Sequence, residues 1–155
     1  MIEEKNLSVK KSQSILTLHK VYVRNLEYKI ESIDDIAEQN YANNRKYAFK
    51  LSYESISKDI ICITLSTKIS TEKTKEMLEL GVSGEFSIND DINDNSSVEN
   101  ILPEVLTKNA VAILFPYLRT YTSIFSGMTK TSVINIPVFN INKIFENSSK
   151  INDID

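Results

Sequence analysis

Few residues in this chain have the types and spacing that catalysis requires. His19 is the only histidine and Cys62 the only cysteine. A nucleophilic cysteine needs a neighbouring base and a setting that favours the thiolate. Cys62 instead lies in the apolar run Ile60-Ile61-Cys62-Ile63 and reads as a small, buried, inert core residue. His19 reads as a residue on a strand face. No spacing of Cys and His would hold a metal. Gly81, Gly84 and Gly127 are the only glycines and make no phosphate-cradling loop. The paired acids Asp34-Asp35 and Asp90-Asp91 fall in polar stretches, where they serve turns and solubility. The expectation is a chain that is not an enzyme, with no catalytic residue, no metal and no cofactor.

Composition narrows the class further. The 155 residues are 41% hydrophobic and 25% charged, the balance of one folded domain. A net charge of -3 makes nucleic acid an unexpected partner. Charge is unevenly spread, because Glu76 to Thr107 contains no Lys or Arg yet holds Glu76, Glu79, Glu85, Asp90, Asp91, Asp94, Glu99 and Glu104. That stretch reads as a solvated acidic loop or as a docking surface for a basic partner. A single cysteine excludes an intramolecular disulfide and fits a reducing compartment. The start lacks the basic and apolar regions of a secretory signal. The densest apolar run, Ala110 to Leu118, is far short of the roughly 20 residues that span a bilayer. A cytoplasmic protein without membrane insertion is expected.

The elements follow from periodicity. Between Ser14 and Glu31 the alternation changes phase twice: Leu16 and Leu18, then Val21 and Val23, then Leu26, Tyr28 and Ile30. One strand can change parity only through a bulge or bend, so this is one long twisted strand. Ser32 to Arg45 is a polar crossover. Three strands follow, with faces formed by Tyr47, Phe49, Leu51 and Tyr53, by Ile61, Ile63, Leu65 and Ile69, and by Leu78, Leu80, Val82, Phe86 and Ile88. Short polar links make them an antiparallel meander. Ser96-Ser97-Val98-Glu99 has capping-box spacing and suits a short turn. A helix is predicted from an Asn109 cap to about Ser126, stopped by Gly127 and holding Pro116 inside. An extended stretch, Ser132 to Phe139, and a short amphipathic helix, Asn140 to Asn147, complete an α+β fold. The domain spans 14–146, between flexible termini 1–13 and 147–155.

The long helix is apolar on too many sides for one sheet. Ala110, Ile113, Leu114, Tyr117, Leu118, Tyr121, Ile124 and Phe125 make a wide face that Val111, Ala112 and Phe115 extend. Only Arg119, Thr120, Ser123 and Ser126 remain as a polar strip. Such a helix is covered from two directions. A second subunit supplies the second cover in one reading; in the other, Val133 to Phe145 folds back over the helix.

At this point the chain resembles the SecB family of export chaperones. Ile113-Leu114-Phe115-Pro116-Tyr117-Leu118-Arg119 is similar to that family's ILFPYAR segment, and Ile136-Pro137-Val138-Phe139-Asn140 to its apolar-Pro-Val-Asn-Phe stretch. Lys20 to Tyr28 resembles the first family strand, and Gly84-Glu85-Phe86-Ser87-Ile88 the end of the fourth. The blocks span about Ser14 to Asn147. The resemblance implies a SecB-like four-stranded antiparallel sheet with a long helix and a short C-terminal helix, assembled as a homotetramer, a dimer of dimers. It implies interface roles for Leu78, Leu80 and Val82 on the fourth strand and for Phe115, Leu118, Tyr121 and Thr122 on the helix. It also implies an ATP-independent holdase that keeps unfolded or precursor polypeptides competent for translocation, with delivery to SecA.

A holdase needs apolar and aromatic surface with exposed backbone, not a shaped pocket. Candidates for client contact are Ile36 and Tyr41 in the crossover, Tyr47 and Phe49 on the second strand, Ile134, Ile136, Val138 and Phe139 in the extended tail, and Ile144 and Phe145 in the last helix. The family docks SecA on acidic side chains of the outer sheet face. Glu79 matches one of these, whereas Asn25 and Lys29 stand where two others are expected, which should weaken a charge-steered contact. The alternative is a dedicated chaperone or adaptor for one partner, such as the antitoxin of a toxin-antitoxin pair.

Overall fold

The computed structural model describes residues 16–31, 45–71, 76–88, 107–129 and 133–138. They form strands β1 (Leu16–Lys29), β2 (Arg45–Ser55), β3 (Ile60–Thr71) and β4 (Met77–Ile88), and one 22-residue helix, α1 (Thr107–Met128). The strands make one antiparallel sheet in the order β1-β4-β3-β2. β2, β3 and β4 are a meander, and β1 closes the far side of β4. The expected α+β architecture is present. The termini, the turn at Ser96–Glu99 and the helix expected over Asn140–Asn147 lie outside the described residues.

The double phase change in β1 has the predicted cause. Its register against β4 shifts between Leu18 and Lys20 and again between Val23 and Asn25. His19 and Arg24 are the extra residues, so each interruption is a bulge. Leu16, Leu18, Val21, Val23, Leu26 and Tyr28 therefore all oppose even-numbered residues of β4, from Ile88 down to Leu78. One inner face results despite two changes of parity in the sequence. On β3 the inner residues Ile61, Ile63, Leu65 and Ile69 are buried, as expected. On β2, Tyr47, Phe49 and Leu51 are half-buried on that face, but Tyr53 is 71% exposed near the hairpin end.

α1 packs on the inner face over β3 and β4. Leu80, Val82, Phe86, Leu114 and Leu118 have no exposed surface and centre the core. Each such side chain stabilises the fold by about 1.5–3 kcal/mol relative to exposure. Gly84 lets the helix come close: a β-carbon there would stand 2.6 Å from the Phe86 ring and 2.9 Å from Leu114.

Three expectations about the helix are corrected. It begins at Thr107, so Asn109 lies inside it rather than capping it. It runs through Gly127, which has no left-handed backbone; Thr129 closes the end by donating from its N–H (3.2 Å) and its hydroxyl (2.6 Å) to the Ser126 carbonyl. The buried stripe is also rotated, running through Ala110, Val111, Leu114, Phe115, Leu118, Thr122 and Ser126. Ile124, expected on the apolar face, is 53% exposed, while Ser126, expected in the polar strip, is fully buried.

Candidate functional site

The rotation has its explanation in residues 133–138. Ile134 and Ile136 are each 1% exposed and belong to the core, while Val133, Asn135, Pro137 and Val138 face outward. This alternation is that of an extended chain. The helix holds it by its backbone. The Ile134 N–H donates to Ser126 Oγ (2.7 Å), Ser123 Oγ donates to the Ile134 carbonyl (3.4 Å), and Arg119 Nε donates to the Ile136 carbonyl (3.1 Å). The single Ser123 hydroxyl hydrogen is shared with Asn135 Oδ1, the nearer acceptor at 2.9 Å. Buried backbone must find partners, and here helix side chains supply them. Sequence reasoning assigned this polar strip to solvent. The available signal was its i, i+4, i+7 spacing, a line along one helix flank.

The opposite flank of α1 is aromatic and partly open. Tyr117 and Tyr121 have ring centroids 6.5 Å apart, and Tyr121 and Phe125 6.3 Å, so one aromatic ladder climbs the helix. Ile124 and Met128 project beside it, 53% and 71% exposed. At the other end Phe115 meets Phe49 of β2 at 6.0 Å, leaving Tyr47, Phe49 and Leu51 half-buried along the edge of the core.

The residues expected to contact a client thus separate. Phe49 sits half-buried beside Phe115, Tyr47 is half-buried against the core on the same strand face, and Val138 is 82% exposed. The side chains of Ile134 and Ile136 are enclosed by their own chain. Ile36, Tyr41, Phe139, Ile144 and Phe145 lie outside the described residues. Among the residues assigned to subunit contact, Leu78, Leu80, Val82, Leu118 and Thr122 are buried within the single chain, Phe115 nearly so, and Tyr121 is half-buried on the aromatic flank.

The outer face of the sheet is polar, with small residues at its centre and charged ones around them. Ser83 stands between Tyr22 and Thr64 in the register and bonds Thr64 through the two hydroxyls (2.7 Å). Tyr22 lies across β4, its hydroxyl 3.7 Å from Cys62 Sγ on β3. Cys62 is buried as expected, but on this face and beneath a tyrosine. Lys20 lies over the Tyr22 ring at 5.4 Å, and Arg24 links the Tyr22 hydroxyl to Glu54 of β2, both at 3.1 Å. His19 bonds Ser87 at 2.7 Å. Glu79 faces the same way, paired with Glu27 on one side and Lys68 on the other. Glu27 bonds Lys29 at 2.8 Å, which holds the carboxyl below its ordinary range, with Lys68 adding to the effect. Asn25 lies over Gly81, its Oδ1 occupying the space a β-carbon would need. By parity this face carries the cations Lys20, Arg24, Lys29, Lys46, Lys50 and Lys68 against the acids Glu27, Glu54, Glu79 and Glu85, so it is not acidic.

Among the described residues no cluster of His, Cys, Asp and Glu could hold a metal, and no helix is long and apolar enough to cross a membrane. An open cleft does lie between α1 and the extended segment, lined by Pro116, Arg119, Thr120, Ser123, Asn135 and Ile136.

No family model matches the sequence, and no curated protein is similar to it at the level of sequence. Solved structures are similar in fold. The Mycobacterium tuberculosis Rv1957 SecB-like chaperone, in complex with a ChAD peptide from the Rv1956 HigA1 antitoxin, superposes with a TM-score of 0.62 at 9% identity, covering 81% of this chain and 88% of that one. A Streptococcus agalactiae protein of unknown function reaches a TM-score of 0.43 at 10% identity over 79% of this chain and 97% of its own. With its four-stranded antiparallel sheet and one long helix, the chain has a SecB-like α+β fold.

Proposed function

We propose that this protein is an ATP-independent chaperone that binds polypeptides in non-native form. The observation that carries the reading is the apolar border of the core, where Tyr47, Phe49 and Leu51 lie half-buried along β2 and Phe49 meets Phe115 of the helix. Apolar surface along a strand suits extended, unfolded chain of many sequences. The SecB-like fold supports the same class. Tyr117, Ile124 and Met128 on the open flank of α1 suit contact between copies in a tetramer, and the cytoplasm is the expected setting. Added in stoichiometric amounts without ATP, the protein should suppress light scattering from an aggregating denatured substrate. Scattering that is unchanged would reject the proposal.

A dedicated partner is favoured over general export. The outer face has more cations than acids, and Glu79 has Lys68 beside it, so an acidic dock for SecA is weak. The similar chaperone was solved with an antitoxin peptide. Binding measured across a panel of unfolded chains should then give one affinity far above the rest. A flat panel, together with SecA binding, would restore the export reading.

A further inference from the structure

The open cleft beside the extended segment is lined mostly by polar side chains. Arg119 uses only Nε, on the Ile136 carbonyl. Its other four N–H groups have no hydrogen-bond or ionic partner among the described residues. The Asn135 carboxamide is held by Ser123 through Oδ1, which leaves its two N–H donors facing outward without a partner there. Thr120 Oγ1 is fixed on the Pro116 carbonyl at 3.0 Å. No carboxylate lines the cleft. The lining therefore offers the N–H donors of Arg119 and Asn135 and a permanent positive charge, while Thr120 and Ser123, their hydroxyl hydrogens used, add only neutral oxygens. Such a set selects an anion, and the planar guanidinium suits a carboxylate in particular.

The surroundings favour a polypeptide as the source of that carboxylate. Ile134 directs its N–H and carbonyl to the helix, so Val133 and Asn135 direct theirs away, with no described partner. Val133 and Val138 add exposed apolar side chains at 52% and 82%. We infer that a partner polypeptide lays an extended segment beside residues 133–138 and sets one Asp or Glu side chain on Arg119. This inference rests on the polypeptide-binding reading and names the chemistry that reading lacks: apolar chain with an acidic anchor.

The test uses a labelled short peptide of alternating Ser and Ile with one central Glu, and its Gln twin, titrated by fluorescence anisotropy. The Glu peptide should bind the full chain about tenfold more tightly than the Gln peptide, and the gap should narrow as salt rises. Arg119→Gln should abolish the gap; because it also frees the Ile136 carbonyl that Arg119 holds, the reading is the ratio of the two affinities rather than either one alone. Arg119→Lys should retain part of it, and melting curves would report whether both variants stay folded. Equal affinities in the unaltered chain, no binding of either peptide, or a gap that survives Arg119→Gln would overturn the assignment. So would inorganic phosphate that displaces the Glu peptide at comparable affinity, which would mark a site for free anions. Scattering suppression with an uncharged client separates this from the wider reading. If suppression persists while the gap is absent, only the anchor fails; if suppression is absent while the gap holds, only the holdase fails.

Discussion

The two faces of the sheet share four strands and little else. The inner face is mostly leucine, isoleucine, valine and phenylalanine, closed to water where the helix covers β3 and β4 and half-open along β2. The outer face is largely serine, threonine, glycine and charged residues, with Tyr22 reaching across β4 to β3. Each face has its own glycine on β4. Gly84 admits Leu114 of the helix, and Gly81 admits the side chain of Asn25. The difference is in what can yield. On the inner face the neighbour is a packed ring and a helix; on the outer face it is a side-chain tip that can swing into solvent. Stability should therefore be concentrated on one side, leaving the other tolerant of change.

Substitutions can break this contrast, and the largest effect is expected at its centre. Leu80→Ala removes a side chain with no exposed surface and should lower unfolding free energy in urea by about 2–5 kcal/mol. A loss under 1 kcal/mol would mean that the inner face can relax. Next come the glycines. Gly84→Ala should cost about 1–3 kcal/mol through its overlap with Phe86 and Leu114, whereas Gly81→Ala should cost less than about 1 kcal/mol. Equal costs would erase the asymmetry.

A smaller effect of opposite sign is expected at Thr122. Its hydroxyl, like that of Thr67, is buried without a hydrogen-bond partner among the described residues. Thr122→Val should raise the unfolding midpoint, by up to about 1 kcal/mol in stability. Smallest is the outer-face pair Glu27–Lys29. The Lys29 hydrogen bond lowers the carboxyl pKa of Glu27 in the folded state. Its contribution is then present above the unfolded pKa and lost as pH falls through the folded one. Carboxyl titration by NMR should show the Glu27 value rise in Lys29→Met, with the melting curve scarcely changed.

Much of the fold was legible because periodicity records burial. The two parity changes in β1 located both bulges, and alternation marked the inner faces of β3 and β4. The rotation of α1 was not legible, since hydropathy assigns Ser126 and Ser123 to water. Their actual partner is the backbone of Ile134, and a backbone carbonyl or N–H leaves no trace in residue type. For the same reason Arg119 read as part of a wet strip, and its cleft became visible only when Asn135 and Ile136 were set beside it. The apolar count of the helix anticipated a second cover. Within the single chain, Ile134 and Ile136 provide part of it.

The match of Asn25 to Gly81 has a consequence for register. A regular pair such as β2 and β3 can slide by two residues and still keep its faces aligned. In β1 such a slide would carry Asn25 out of the gap above Gly81 and set it against Glu79 or Ser83. One setting of the strand is thereby favoured over its neighbours.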